Sequence, residues 1–168
     1  MSKGSRGHAS IIVVTLILGI VTSTGCAGPA APGGVLDADW PNAMLNRVNA
    51  ERRAAAVPEL VLCRTLLNSA QGHSEGQVAL GRLSHIGLDG SRLADRVMRA
   101  GYLGWTKLGE NVAYGQPTID AAVMGWMRSR IHRVQLVDPS YTHVGFGAAD
   151  DASGRRYWTQ DFGRNGAC

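Results

Sequence analysis

An imidazole nitrogen and a carboxylate oxygen held side by side can bind a borderline divalent metal such as zinc or activate a water molecule. His85 and Glu110 are the pair in this chain that could do so. Their spacing says little, because they stand far apart and no two of the five histidines have the close spacing of a helical metal motif. Ser129 is followed three residues later by His132, yet no Gly-x-Ser-x-Gly elbow surrounds it, which argues against covalent catalysis. Plainer roles stay open for each residue. Glu110 could accept backbone N–H groups in the bend of Gly109-Glu110-Asn111, with Asn111 bracing the turn. His132 could stabilise the exposed carbonyls of a helix end together with Arg133. His73 and His143 read as a core-edge histidine and a strand residue.

The elements that must position these groups follow from periodicity. Pro41 opens a helix carrying Met44, Leu45 and Val48, which ends before Pro58 because a residue preceding proline is pushed out of the helical region. A second helix is expected from about Glu59 to Gly81, with Leu66, Ala70, His73 and Gln77 at helical spacing. Asp89-Gly90-Ser91 caps a third with Leu93, Val97 and Met98, which Gly101 terminates. A fourth starts near Thr118 and holds Val123, Trp126 and Met127. Tyr141 to Ala149 and Arg155 to Phe162 alternate as the arms of a hairpin around Asp150-Asp151-Ala152-Ser153-Gly154. With a short central strand around Glu110, the whole reads as a mixed α/β layer structure.

The first 25 residues read as an export signal: Lys3 and Arg6 form a basic start, and Ile11 to Val21 is an apolar run short for a bilayer span. Small residues Ser23, Thr24 and Gly25 precede Cys26, the arrangement of a lipoprotein signal in which the cysteine is acylated. Such signals usually carry Leu where Ser23 stands, so ordinary cleavage near Gly25 or Ala27 is the alternative. Removing the signal takes two of 17 basic residues and none of 13 acidic ones, leaving a net charge of about +2 rather than +4. The arginines are scattered among acids rather than gathered in a stripe, which excludes a nucleic-acid footprint. Residues 26–39, rich in Pro, Gly and Ala, form a flexible tether, and residues 40–168 are long enough for one domain with one core.

Cys63 and Cys168 remain in the exported part, in an oxidising compartment. A disulfide between them is expected, because an exposed unpaired thiol at Cys168 would be a liability; the alternative is that Cys63, among Leu60, Leu62 and Leu66, is a buried small hydrophobe.

Four segments follow one another in the second half: Leu83-Ser84-His85, Gly109-Glu110-Asn111-Val112-Ala113, Trp126 to Arg133, and Tyr157-Trp158-Thr159-Gln160-Asp161-Phe162-Gly163. This ordered series resembles the CAP superfamily (cysteine-rich secretory proteins, antigen five, pathogenesis-related proteins), in its bacterial extracellular branch. The resemblance covers about Leu45 to Gly163 and implies an α-β-α sandwich. Many members line a central cleft with two His and two Glu. His85 and Glu110 match one of each; Ser129 stands where the family has the second Glu, and Tyr157 where it has the second His. Bacterial members commonly pair that Ser with a His three residues on, as Ser129 and His132 do here, near one face of the fourth helix. The resemblance therefore implies a cleft of His85, Glu110, Ser129 and His132 with Tyr157 at its edge, and any zinc would be held by His85, Glu110 and His132. Three functions are compatible with it. One is a binding module for a small ligand, lipid or cell-envelope component. The others are a metal-assisted hydrolase of envelope polymers or peptides, and an adhesion or effector module with a vestigial cleft. Loss of two of the four positions favours binding over catalysis.

Overall fold

The computed structural model describes Met1 and residues 34–168; the expected signal, Cys26 and most of the tether lie outside the described residues. Helix α1 (Trp40–Ala54) begins with Pro41 in its first turn, where a missing N–H costs nothing, and buries Met44 and Val48. It is anchored at its far end by Arg52. That side chain is fully buried, with its guanidinium donating to the carbonyls of Pro58, Leu136 and Asp138.

The second helix starts later than its periodicity suggests. Val61 and Leu62 form a short strand β1, paired in parallel with His143 and Val144, and α2 runs over Arg64–Leu80. Both backbone groups of Leu60 are taken by the side-chain amide of Asn49, which holds the chain extended there. Tertiary pairing overrides helical propensity in this stretch. Gly81, at φ +65°, ends α2 in the left-handed conformation that suits glycine. Helix α3 (Leu93–Arg99) follows, with Arg92 as its N-cap, and Asp95 reaches back to the Arg92 N–H.

Strand β2 (Lys107–Tyr114) is longer than the expected short strand and is not central. The four strands lie in the order β1-β3-β4-β2, so β2 is an edge. Strand β4 (Arg156–Arg164) has β3 (His143–Asp150) on one side and β2 on the other, both antiparallel. Helix α4 (Ile119–Arg128) is capped by Thr118, whose hydroxyl accepts the Ala121 N–H. It does not continue through His132, because Ser129 leaves the helical region at ψ 118° and α5 (Arg130–Leu136) starts afresh.

The result is three layers, an α-β-α sandwich. One sheet face carries Val144 and Phe146 of β3 with Trp158 and Phe162 of β4, packed with Met44, Val48, Val123 and Trp126 from α1 and α4. The other face meets α2. Gly145 and Gly147 point that way, and a Cβ on either would overlap the backbone of α2 at Leu66 or Ala70, so the helix lies directly on the strand. Cys63 and Cys168 are joined, with Cα atoms 5.1 Å apart, beside a second cluster of Leu66, Val97 and Tyr102. Among the described residues, both core clusters and the disulfide are built from residues 36–168, so this stretch carries a core of its own. Among the described residues no helix is long and apolar enough to cross a membrane.

Candidate functional site

Residues paired across antiparallel strands share a face, and the ladder sets Glu110 against Asp161, Val112 against Thr159 and Tyr114 against Tyr157. All six therefore lie on the α2 side of the sheet. Helix α2 answers with Ser69, His73, Ser74 and Gln77, which fall along its buried stripe. Ser69 donates to Asp161 Oδ2 at 2.7 Å, and the Ser74 hydroxyl and Gln77 amide reach Thr159 Oγ1. A polar layer is thus sealed between helix and sheet.

Glu110 is its centre. The side chain is 4% exposed, and Oε1 accepts from His85 Nδ1 at 2.7 Å while Oε2 meets Arg96 and lies 3.6 Å from His73 Nε2. Arg96 also donates to the carbonyls of His85 and Ser91, and His73 Nε2 donates to the carbonyl of Ser84 at 2.8 Å. One guanidinium and one imidazole thereby fasten the loop that presents His85. His85 itself is 57% exposed, so the arrangement couples a surface imidazole to a buried carboxylate.

Charge sorts itself accordingly. Burial pushes Glu110 up, but the His85 hydrogen bond and the charge of Arg96 outweigh it and hold the carboxyl below its ordinary value. Asp161 goes the other way. Complete burial, joined by the negative charge of Glu110, raises it well above the carboxylate range, and the Ser69 hydrogen bond offsets only part of this. The pair is thus driven apart, Glu110 toward the ionised form and Asp161 toward the protonated one. His85 is raised, first by its hydrogen bond to Glu110, whereas burial keeps His73 low and neutral. With Nε2–H committed to Ser84, His73 Nδ1 is a buried acceptor without a partner among the described residues, and Arg96 Nε is a buried donor in the same state.

The remaining expected residues are placed as follows. His132 is half-buried, and its pKa is lowered by burial and then by the charge of His85, so it lies within electrostatic reach of the site. Its backbone carbonyl accepts from Asn111 Nδ2; Gly109-Glu110-Asn111 is not a bend but part of β2, so Asn111 ties that strand to α5 instead of bracing a turn. Ser129 sits at the break between α4 and α5 as the N-cap of α5, with no side-chain capping bond, and His132 lies in the first turn of α5 rather than on the fourth helix. Tyr157 is not at the edge of a cleft around Glu110. It is 2% exposed, stacks on Tyr114 at 4.3 Å and lies four residues along β4 from Asp161, roughly 14 Å at strand rise.

A zinc ion does not fit this donor set. Among the described residues no three His, Cys, Asp or Glu side chains are gathered to hold a metal, and Arg96 already supplies the cation at Glu110. The expected triad of His85, Glu110 and His132 is replaced by His85, Glu110 and Arg96, with His73 behind them.

His73, Arg96, Ser69 and Asp161 are site residues that the motifs do not single out. A core-edge position is what the periodicity of α2 predicts for His73; it is in the core, but against Glu110. Above them, between α2 and the chain from Gly87 to Ala100, lies a cavity of about 520 Å³ lined by Ser69, Gly72, His73, Gly76, Leu88 and Arg96 among others.

Residues 45–162 match the CAP family, described as the cysteine-rich secretory protein family. The chain belongs to this family. Among curated proteins it is 38% identical over 93 residues to the uncharacterized membrane protein YlbC of Bacillus subtilis, covering 55% of this chain and 25% of that protein. It is also 32% identical over 114 residues to the uncharacterized protein YkwD of the same organism, covering 68% and 43%. The CAP chain thus spans less than half the length of either relative. Among solved structures it resembles an extracellular protein containing an SCP domain from Bacillus anthracis, at 28% identity and a TM-score of 0.66, over 79% of this chain and 45% of that one. An outer surface protein from Borrelia burgdorferi shares the fold at 16% identity and a TM-score of 0.69, over 79% of this chain and 98% of that one.

Proposed function

We propose that this CAP domain is an exported binding module whose cavity takes a small amphiphilic component of the cell envelope. The observation that carries the reading is the cavity's composition. Its wall is apolar or backbone at Gly72, Gly76, Leu88 and Ala100, while Ser69, His73, Arg96 and Arg99 give it a polar, cation-bearing side. A ligand with one apolar arm and an anionic, hydrogen-bond-accepting head would match both parts of this lining. Export rests on the signal-like first 25 residues and agrees with the extracellular nature of the Bacillus anthracis relative. Acylation of Cys26 would tether the module to the membrane, and the mass of the native N-terminus distinguishes it from simple cleavage.

The test is calorimetric titration of residues 34–168 with dodecanoate, a single-chain amphiphile, against the variant Gly76→Leu. Gly76 sits in α2 with only Leu88 Cβ near the place a side chain would enter, at 4.0 Å, so leucine there fills the cavity without breaking the helix. Binding by the wild type and its loss in a folded Gly76→Leu protein are expected. No binding by either, or equal binding by both, overturns the reading. A metal-assisted hydrolase is the weaker alternative, since its proposed base Glu110 is already held by Arg96 and His85. Zinc titration of the same protein, read for heat and for displacement of the His85 ring resonances, tests it directly.

A further inference from the structure

Between Asp120 and Asp138 the chain carries no acid and three arginines, Arg128, Arg130 and Arg133. All three are exposed, and among the described residues none has a carboxylate within ion-pair distance. Arg64, Arg82, Arg92, Arg155 and Arg164 are likewise exposed without such a partner among the described residues, so what distinguishes these three is that they surround one surface depression. The same surface exposes large apolar side chains: Ile131 is 71% and Val134 57% exposed, one helical turn apart on α5. Leu136 points the other way, into the core, and Gln135 is held by the hydroxyl of Tyr141. A shallow depression of about 350 Å³ runs between Met127, Val134 and Val137 with the three arginines around it. This layer of the sandwich is the one opposite α2 and α3, so the patch is separate from the cavity.

We infer that this α4–α5 surface docks the domain on a lipid bilayer with anionic headgroups. An exposed apolar centre within a cationic rim is the pattern that inserts into an interface while its charges meet lipid phosphates. A soluble anionic polymer would gain from the arginines but would leave Ile131 and Val134 in water. A second copy of the chain would bring three cations against three. The bilayer is the occupant that accommodates both halves of the pattern. The inference does not depend on the cavity or its ligand.

Co-sedimentation of residues 34–168 with vesicles of equal phosphatidylglycerol and phosphatidylcholine, and with phosphatidylcholine alone, tests it. Binding to the anionic vesicles only is expected. Replacing Arg128, Arg130 and Arg133 together by Gln lowers the partition coefficient about a hundredfold, at about fivefold per cation near such a surface. Ile131→Ser with Val134→Ser lowers it at unchanged charge. All five positions are exposed, so an unchanged melting midpoint verifies folding, and Gly76→Leu binds vesicles as the wild type does. No sedimentation with anionic vesicles overturns the inference, as does retention by the triple Gln protein. So does undiminished binding by the double Ser protein, which assigns the patch to charge recognition of an anionic polymer. A dimer in sedimentation velocity that the double Ser protein abolishes overturns it in favour of a second copy.

Discussion

Glu110 and Asp161 are direct cross-strand partners, and their surroundings drive the two carboxyls in opposite directions, Glu110 toward ionisation and Asp161 toward protonation. The two roles follow from what each touches: Arg96 and His85 reach Glu110, while Asp161 has a single hydroxyl from Ser69. Asp161 Oδ1 has no hydrogen-bond partner of either kind among the described residues, so nothing there stabilises a charge on it.

This arrangement makes Asp161 a liability at high pH. Its folded pKa is raised, so its contribution to stability is complete below the unfolded carboxyl value of about 4 and is lost as pH climbs through the folded value. Asp161→Asn keeps the shape and removes the titration. Urea midpoints measured upward from about pH 4 should fall for the wild type and stay flatter for Asp161→Asn. Parallel curves would show that Asp161 does not carry the proton.

Removing Arg96 leaves a carboxylate buried without its cation, which costs about 3–5 kcal/mol. Arg96→Met should therefore destabilise strongly in chemical denaturation. Adding Glu110→Gln should recover part of the loss, because the stranded charge is then gone. Strict additivity of the two changes would sever the link between the residues.

His85 titrates above an ordinary histidine, chiefly through its bond to Glu110. Its stabilising effect is present in full below the ordinary histidine pKa and lost as pH rises through the folded value. The depressed Glu110 works in the opposite sense, losing its contribution as pH falls through its own folded pKa. Ring proton shifts followed by NMR should show the raised His85 midpoint and its decline in Glu110→Gln. An unmoved midpoint in that variant would dissociate the imidazole from the carboxylate.

The Cys63–Cys168 bond spans 105 residues of sequence. In the chain-entropy view closing so long a loop contributes about 4–5 kcal/mol. Cys168→Ser should lower the melting temperature by about 10 °C under oxidising conditions and change little under strong reductant. A wild-type midpoint insensitive to reductant would contradict it.

Gly147→Ala tests the contact between α2 and β3. The added methyl meets the Ala70 carbonyl, backbone that cannot step aside as a side-chain tip could. A loss of about 1–3 kcal/mol is expected, together with a shifted His73 resonance because α2 carries that ring. Neutral stability would mean the helix rides higher than described.

The hairpin is legible in the sequence because alternation and turn chemistry sit side by side from Tyr141 to Phe162, and α4 because Thr118 signals its own cap. His85 and Glu110 are legible only through the family's motif order. Arg96 is not, since an arginine on a short helix reads as solvated until the helix is docked and its guanidinium turned inward. Asp161 needs the strand register, which sequence alone does not supply. Periodicity gives His73 its buried position but not its company. The break at Ser129 escapes because the helical pattern on either side continues without a Gly or Pro to interrupt it.

An edge strand with one neighbour has a single ladder to choose its alignment, and β2 is such a strand. Sliding it by one residue would turn every side chain over. Glu110 would then turn toward the layer of Trp126 and Trp158, away from the Arg96 guanidinium and the His85 ring that hold it ionised. The carboxylate thus serves as a proofreading mark during folding: a misaligned β2 is rejected by the same group that, once aligned, holds His85 at the surface.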